Sequence, residues 1–329
     1  MQTRRQLMKH GAWAMLANIA LPDMASAQSA AGWPQKTLRL IVGFPAGTSP
    51  DLMARALAEP LAQALGQAVI VENRAGASGS IAAEAVAKAT DEHSFGLIGN
   101  AALTANPILY TNLPYKVSDF APITVVGSAP LLVVATNSIK FDQPAQFFEQ
   151  ARQSGGRWSY GSVGVGSGTH LSNEMLMAQA GFNAVHVPFN GAPAVLNAMI
   201  AGDVQMATLP IGAALAQVNA GRVRGVALTS ATRSILAPNM PALLEAGVKP
   251  LSVELWNAVM APASTSKAVL DRFSQALARV IRSEELRQKL FQQGWRAEGT
   301  SPEALQRRIK DDTALYAAII AQRKITVAG

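Results

Sequence analysis

Residues 162–170, SVGVGSGTH, are the part of the sequence whose residue types point most directly to chemistry. Three glycines alternate with small and hydroxyl-bearing residues, and the segment contains no lysine, arginine or carboxylate. Glycine leaves backbone amides uncovered and lets them converge, so such a loop can bind an anion. Thr169 and His170 are expected to begin a helix, whose free amides and dipole also favour an anion. The segment therefore predicts an anion-binding loop, with a simple tight turn as the alternative.

Motifs of several enzyme classes are missing from the sequence. It contains no GxxxxGK[ST], no GxGxxG that opens a helix, no HExxH or CxxC and no GxSxG. An SxxK match at residues 264–267 lies in a predicted loop without its partner motifs, and we interpret it as chance. Because there is no cysteine, the chain has no disulfide, thiol nucleophile or thiolate metal site. We expect neither a cofactor nor a metal.

A serine hydrolase is the enzyme that the remaining residues could still form. Ser162 and His170 share one loop, but Glu174 is the one carboxylate between Arg157 and Gly202, so little is available to orient a catalytic histidine. His186 alternates with apolar residues on a predicted strand, which is typical of a packed histidine. Catalysis is therefore the less favoured alternative.

Predicted strands and helices alternate around these loops. The order is strand, helix, strand, helix, strand in the first part, over residues 38–44, 49–65, 68–72, 80–89 and 95–98. Ser49 is the predicted N-cap of the first helix, and Pro50 suits its first helical position. A second unit has strands at 123–126, 131–135, 158–161, 185–189, 204–208 and 223–229. Its predicted helices are one at 171–180 and one that residues 190–193 open and that ends near 201. A crossing strand at 253–260 precedes helices at 266–283, 284–293 and 302–322.

This order predicts an α/β protein with two lobes, each a mostly parallel sheet flanked by helices. The first lobe comprises residues 33–125 plus 253–329 and the second comprises 126–252, so that two crossover segments join them. Ligands of open α/β sheets bind beyond the carboxyl ends of the strands. The loops at 45–51, 74–79, 99–102, 162–170 and 190–193 leave such ends, and we expect them to face one cleft.

The N-terminal residues 1–27 have the pattern of an export signal. Arg4, Arg5 and Lys9 precede an apolar stretch at 12–21, and Ala-Ser-Ala at 25–27 offers a cleavage site near Ala27. The paired arginines indicate twin-arginine export, with an ordinary secretory signal as the alternative. Either route leads to the periplasm. The net charge of +7 is scattered rather than concentrated in a stripe, which argues against nucleic-acid binding.

Several motifs in one order carry a family resemblance. Trp33-Pro34 is followed by GFPAGTSPDLMAR at 43–55, where the family pattern is PFAAGGSTDxxAR, and by VENRAGASG at 71–79, where it is VENRPGAGG. The second lobe offers SVGVGSGTHL at 162–171, HVPFNG at 186–191 and AGDV at 201–204. On these residues the sequence resembles the substrate-binding proteins of tripartite tricarboxylate transporters, the Bug receptors, from Trp33 to about Pro302.

The resemblance implies a two-lobed periplasmic binding protein of the type II kind. It would be a monomer that holds a small organic carboxylate on backbone amides in the cleft and delivers it to a membrane permease. The positions implied at the ligand are Phe44, Ala46, Gly47, Thr48, Ser49, Asn100, Ala101, Ser162, Gly164, Ser167, Gly168, Thr169, His170, Asn190, Gly191 and Leu209. An orphan receptor that feeds a sensor kinase is an alternative use of the same fold.

Three departures from the family pattern bear on the ligand. Thr48 replaces the second glycine of the first loop, and Asn190 replaces a lysine. Relatives that bind amino acids have an aspartate after the strand at 204–208, where this chain has Thr-Leu-Pro at 208–210. We therefore expect an organic acid without a free amine, with an apolar or aromatic body.

Overall fold

A computed structural model describes residues 32–251 and 254–327. The predicted export signal at residues 1–27 lies outside the described residues. The strands are β1 (Leu38–Val42), β2 (Val69–Asn73), β3 (Ser94–Gly99), β4 (Phe120–Ala129), β5 (Leu131–Ala135), β6 (Ser159–Ser162), β7 (Val185–Pro188), β8 (Met206–Pro210), β9 (Arg224–Leu228), β10 (Leu255–Pro262) and β11 (Arg296–Ala297).

The α-helices of the described chain alternate with these strands. They are α1 (Ser49–Leu65), α2 (Ser80–Ala87), α3 (Asn100–Thr104), α4 (Asn106–Leu109), α5 (Pro144–Gln153), α6 (Gly168–Ala180), α7 (Ala192–Ala201), α8 (Ile211–Asn219), α9 (Lys267–Arg282), α10 (Glu284–Gln292) and α11 (Pro302–Arg323). Among the described residues, no helix combines the length and the apolar character that a membrane span requires.

Two sheets form the two lobes. The first has the order β11-β4-β10-β3-β1-β2 and the second the order β7-β6-β8-β5-β9. Strands β1, β2 and β3 are parallel, as are β6, β7 and β8, whereas β10 is antiparallel to β3 and β4, and β5 is antiparallel to β8 and β9. The predicted two-lobed α/β architecture is confirmed, with sheets that are mixed rather than mostly parallel. The antiparallel strands include β4, β5, β9 and β10, which adjoin the crossovers from one sheet to the other, and the short edge strand β11.

The chain crosses between the lobes twice, after β4 and after β9. Strand β4 pairs with β10 as far as Ala129, so the first sheet continues past the boundary predicted at residue 125. Pro130 ends this strand, and β5 follows at once in the second sheet. The two long strands β4 and β10 therefore lie side by side at the centre of the first lobe and lead to the second.

The C-terminal helix α11 contacts both lobes. Leu305 and Ile309, near its start, belong to the apolar core under the first sheet. Tyr316, Ile319 and Ile320, near its end, are buried in the core of the second lobe. The sequence analysis assigns this helix to the first lobe alone. Its last turns also pack into the second lobe, so the helix connects the two.

Apolar patterning explains the parallel strands, since β1 is buried along almost its whole length between layers of helices. Helix α1 ends at Gly66, whose left-handed backbone (φ 72°) suits glycine. Its N-cap is Thr48 rather than the predicted Ser49, and Pro50 occupies the second helical position. Four helices, α3, α4, α5 and α8, have no counterpart among the sequence predictions.

Candidate functional site

A cavity of about 60 Å³ lies between the lobes, at the carboxyl ends of strands from both sheets. Nine of the predicted ligand positions line it: Phe44, Thr48, Ser49, Asn100, Ala101, Ser167, Gly168, Thr169 and Gly191. The lining is completed by Pro50, Ser78, Gly99, Val163, Ala192, Pro210, Leu255, Trp256, Asn257 and Trp295. The structure thus brings together the loops that the sequence places at strand ends, and contact of these residues with a ligand stays a prediction.

Three helices of eight residues or more begin at this cavity. Ser49 of α1, Gly168 and Thr169 of α6, and Ala192 of α7 all lie in first turns and line the cavity. The first amides of a helix have no acceptor within the helix, and the helix dipole adds positive character there. The N-caps of α1 and α7 make no side-chain capping bond. Helix α1 belongs to the first lobe and the other two to the second, so an anion here faces donors from both.

The loop before α1 is held by the buried carboxylate of Asp51. Its Oδ2 accepts from the amide of Gly47 at 2.8 Å and from Nε of Arg55 at 3.0 Å. Its Oδ1 accepts from Nδ2 of Asn73 at 2.9 Å, and the same Nδ2 also donates to the carbonyl of Phe44 at 3.0 Å. Burial by itself would raise the pKa of Asp51, but the hydrogen bonds from Arg55, Gly47 and Asn73 together lower it. The amide of Gly47 is therefore already paired.

The glycine loop at 162–170 also pairs most of its own amides. The bonds join Val163 N to Thr169 Oγ1 at 3.0 Å, Gly164 N to Ser162 Oγ at 3.2 Å, Gly166 N to His170 Nδ1 at 3.0 Å and Ser167 N to Gly164 O at 3.2 Å. The hydroxyl and imidazole side chains of the loop thus serve as acceptors for its backbone. The next amides of α6, those of His170 and Leu171, are paired with Ser167. The anion-binding groups that this segment offers to the cavity are therefore the amides of Gly168 and Thr169, which begin α6.

Ser162 faces His186 and not His170. Its Oγ lies 2.6 Å from His186 Nε2, and the rings of His170 and His186 stack with centroids 3.9 Å apart. Burial, followed by the neighbouring His186, lowers the pKa of His170 to about 3, and burial also lowers the pKa of His186. Ser162 has no exposed surface and does not line the cavity. The pairing of Ser162 with His170, which the hydrolase alternative requires, is absent, because Ser162 pairs with His186 and the two histidines stack on each other.

The other predicted positions lie around the cavity rather than on it. Gly164 and Asn190 line a neighbouring groove, together with Tyr110 and Gly76. Leu209 is buried within the second sheet, and the next residue, Pro210, lines the cavity instead. Ala46, Gly47, Ser162 and His170 are likewise absent from its lining. These residues belong to the same loops as the residues that line the cavity, but do not line it themselves.

The described lining of the cavity contains no ionisable side chain and several aromatic ones. Phe44, Trp256 and Trp295 contribute apolar surface, and the Trp256 indole nitrogen donates to Asp312 at 2.6 Å. Sequence reasoning missed both tryptophans, which follow no loop motif. Within the described ranges, no group of three or more histidine and carboxylate side chains could hold a metal. The site can therefore bind a small anion with an apolar body.

The two lobes are in close contact around the cavity. Ser78 Oγ, from the first lobe, donates to the carbonyl of Val165 in the second at 2.5 Å. Gly212 of α8 packs so tightly on the first lobe that a Cβ atom there would lie 1.9 Å from the carbonyl oxygen of Gln293. A Cβ on Gly168 would lie 2.5 Å from Cδ2 of Leu255. These contacts describe a closed arrangement of the lobes.

Comparison with known families decides what kind of protein carries this cavity. The model of the tripartite tricarboxylate transporter family receptor, TctC, matches residues 53–325. The chain belongs to this family. TctC receptors are periplasmic solute-binding proteins and not enzymes, so the serine hydrolase alternative is wrong.

Relatives with known sequences and structures agree with this membership. BugT of Bordetella pertussis is 31% identical over 92% of this chain and 94% of its own. A protein from the tcbD–tcbE intergenic region of Pseudomonas sp. (strain P51) is 30% identical over 94% of each chain. The structure of Rpa4515 from R. palustris, solved with adipate, superposes with a TM-score of 0.85 at 29% identity, covering 89% of this chain and 99% of that one. TctC receptors therefore share both the sequence pattern and the two-lobed fold described above.

Proposed function

We propose that this chain is exported to the periplasm, by the twin-arginine route, and binds a small organic carboxylate in the cavity between its lobes. The observation that carries the proposal is the convergence of three helix N-termini, from both lobes, on a cavity without a cationic side chain. Backbone amides at helix N-termini bind carboxylates without help from arginine or lysine. A ligand that contacts both lobes also stabilises their closed arrangement.

The walls of the cavity select the class of acid. No carboxylate side chain lines the described cavity, so an ammonium group would find no negatively charged partner there. Burying an unpaired charge is strongly unfavourable, and we therefore exclude amino acids as ligands. Phe44, Leu255 and the two tryptophans favour a ligand with an apolar body. The adipate of the Rpa4515 structure, a carboxylate at each end of a methylene chain, is an acid of this kind.

The acid is delivered to the membrane subunits of a tripartite tricarboxylate transporter. Membership of the receptor family supports this step. The receptor acts as a monomer, and closure of its lobes around the acid presents the form that the permease recognises.

A binding screen tests the proposal on the chain that starts at Gln28. Thermal shift with a panel of mono- and dicarboxylates, followed by calorimetry, should identify acids that raise the melting temperature. A ligand at a hundredfold excess over its Kd adds about 2.7 kcal/mol to the free energy of unfolding. Each acid is paired with its uncharged amide, for example adipate with adipamide, and only the acid should bind.

Two results would contradict the proposal. One is tight binding of aspartate or glutamate without affinity for simple dicarboxylates, because it requires an acceptor for the ammonium group. The other is equal binding of the acid and its amide, because helix N-termini favour the negative charge.

A further inference from the structure

Asn257 lies on β10, a central strand of the first sheet, and its side chain lines the interlobe cavity. Its cross-strand neighbours are Gly99 on β3 and Gly127 on β4. Residues opposite each other in antiparallel strands project from the same face of a sheet, so neither neighbouring strand places a side chain directly beside Asn257. A Cβ on Gly99 would lie 3.4 Å from Oδ1 of Asn257, which shows that the amide oxygen lies close to this glycine.

The strand beside Asn257 is irregular at this point. Asn257 pairs with Gly127, but Ala258 pairs with Val125, so that Val126 is an extra residue on β4. Such a β-bulge bends a strand and changes the direction in which nearby side chains point. The two glycines and the bulge therefore leave the Asn257 side chain room to face the cavity.

The carboxamide of Asn257 is well buried but unpaired. The residue is 3% exposed, and neither its Oδ1 nor its Nδ2 makes a hydrogen bond to a described residue. Both atoms keep accessible surface, unlike the unpaired polar atoms that are sealed inside the described protein, and the cavity is the space that they face. Buried polar groups in folded proteins are normally satisfied, so an open amide on a binding cavity points to a ligand group.

Other polar side chains on the described lining are already engaged. Thr48, Ser78 and Ser167 each donate their one hydroxyl hydrogen to a backbone carbonyl, at 2.7, 2.5 and 2.6 Å. Asn100, the other amide on this lining, donates its Nδ2 to a buried tyrosine hydroxyl at 2.9 Å. The hydroxyl of Ser49 is unpaired within the described chain, but it lies in the first turn of α1, with the amides proposed to hold the carboxylate. Asn257 is thus the amide of the described lining whose nitrogen and oxygen are both open to the rest of the acid.

A hydroxyl group is the smallest uncharged substituent that matches this amide. Nδ2 is a donor and Oδ1 is an acceptor, and a hydroxyl both accepts and donates. A carboxylate, ketone or ether only accepts, and an ammonium group, which only donates, would also remain without a negatively charged partner here. The cavity volume of about 60 Å³ also favours a small substituent.

We propose that Asn257 is a specificity-determining residue that selects acids with a hydroxyl substituent. The helix N-termini hold the carboxylate, and the Asn257 carboxamide binds the hydroxyl group. A hydroxy acid keeps the carbon chain that the apolar walls favour. This inference rests on the proposed function, and it narrows the ligand from organic acids in general to hydroxy acids.

The test compares acids that differ in one substituent. Calorimetry measures the Kd of butyrate, succinate, glutarate and adipate, and of their hydroxy derivatives with the hydroxyl on each methylene carbon in turn. In the wild type, at least one hydroxy acid should bind about tenfold to a hundredfold more tightly than its parent, because the parent leaves the amide unpaired. The keto form and the methyl ether of that hydroxy acid accept but do not donate, and both should bind more weakly than the hydroxy acid.

A variant at this position should remove the preference. Asn257→Leu has a similar size but no polar side-chain atom, so it should bind the hydroxy acid and its parent with Kd values within about twofold of each other. It should bind the parent at least as tightly as the wild type does. Asn137→Leu is the matched control, since Asn137 is exposed on the second lobe, away from the cavity, and this variant should keep the preference of the wild type.

Folding is checked by the melting temperature of each variant without ligand. Asn257→Ala removes the amide without adding bulk between the two glycines, and it takes the place of Asn257→Leu if the leucine variant does not fold. The alanine variant should lose the same preference for the hydroxy acid.

A nuclear magnetic resonance experiment reads the contact directly. The side-chain NH₂ signals that disappear on substitution of Asn257 should shift when the wild type is titrated with the hydroxy acid, and much less with its parent. The side-chain signals of Asn137 should stay in place with both acids.

The possible outcomes separate the two proposals. If the wild type binds no carboxylate, the proposed function fails and this inference fails with it. If the wild type binds carboxylates but no hydroxy acid binds more tightly than its parent, or if the variants at Asn257 keep the preference, only the role of Asn257 is overturned.

Discussion

Replacing Gly212 with alanine should weaken ligand binding without weakening the fold. Gly212 lies in the first turn of α8, on the second lobe, and packs against residues 293–294 of the first. An added Cβ would lie 1.9 Å from the carbonyl oxygen of Gln293 and 2.7 Å from its carbonyl carbon. Both are backbone atoms and cannot rotate away, so the lobes must separate to make room for one methyl group.

The size of the effect follows from the cost of overpacking. Extra methyl groups in tight interfaces cost about 1–3 kcal/mol, which corresponds to a Kd about 5- to 150-fold weaker for a ligand that requires closure. When the lobes are apart, the same position is a helical residue, where alanine is more favourable than glycine by about 0.5–1 kcal/mol. The melting temperature without ligand should therefore stay equal or rise.

Calorimetry with the acid identified by screening measures the Kd, and small-angle X-ray scattering with and without that acid measures the degree of closure. Gly225→Ala is the matched control, since its Cβ would meet the flexible side chain of Met240, at 2.7 Å, within the second lobe. A Gly212→Ala protein that binds the acid within twofold of the wild type and becomes as compact would refute the reasoning.

Two further predictions concern stability. The pKa of His170 falls from 6.5 to about 3 and that of His186 is also lowered, so the unfolded chain binds more protons than the folded one in this range. The free energy of unfolding should therefore decrease as the pH falls below about 6.5, by up to about 1.4 kcal/mol per pH unit for each histidine. Urea unfolding measures this, and a free energy of unfolding that stays constant between about pH 7 and 4.5 would contradict the buried histidine stack. Asp51→Ala removes the acceptor of the Gly47 amide and should lower the free energy of unfolding by about 2–4 kcal/mol. Arg55→Ala removes the ion-pair partner of Asp51 at a half-exposed position and should lower it by at most about 1 kcal/mol. Equal effects of the two substitutions in urea unfolding would show that the ion pair, and not the hydrogen bond to Gly47, is what stabilises the loop.

The sequence predicts well those features that depend on local patterns. The buried run at 38–42 and the glycine that ends α1 determine a strand and a helix boundary from neighbouring residues alone. The rule that ligand sites lie at the carboxyl ends of strands places the five predicted loops around one cleft, and residues from each of them line the cavity.

Features that depend on the whole fold are less accessible from the sequence. Gly47 and Gly164 look equivalent to the other loop glycines, yet their amides pair with Asp51 and Ser162, and only the folded loops show this. Trp295 lines the cavity from a segment that is distant in sequence from the predicted loops, and no pattern of apolar residues in the sequence predicts that position. The contact of Tyr316 with the second lobe likewise depends on the direction in which α11 crosses the first.

The absence of ionisable groups from the described cavity wall has a consequence for how the receptor responds to its surroundings. Main-chain dipoles do not titrate, so the walls present the same electrostatic character in acidic and in neutral surroundings. Under the proposed function, the charge interaction inside the cavity changes with pH through the ionisation of the bound acid and not through that of the walls.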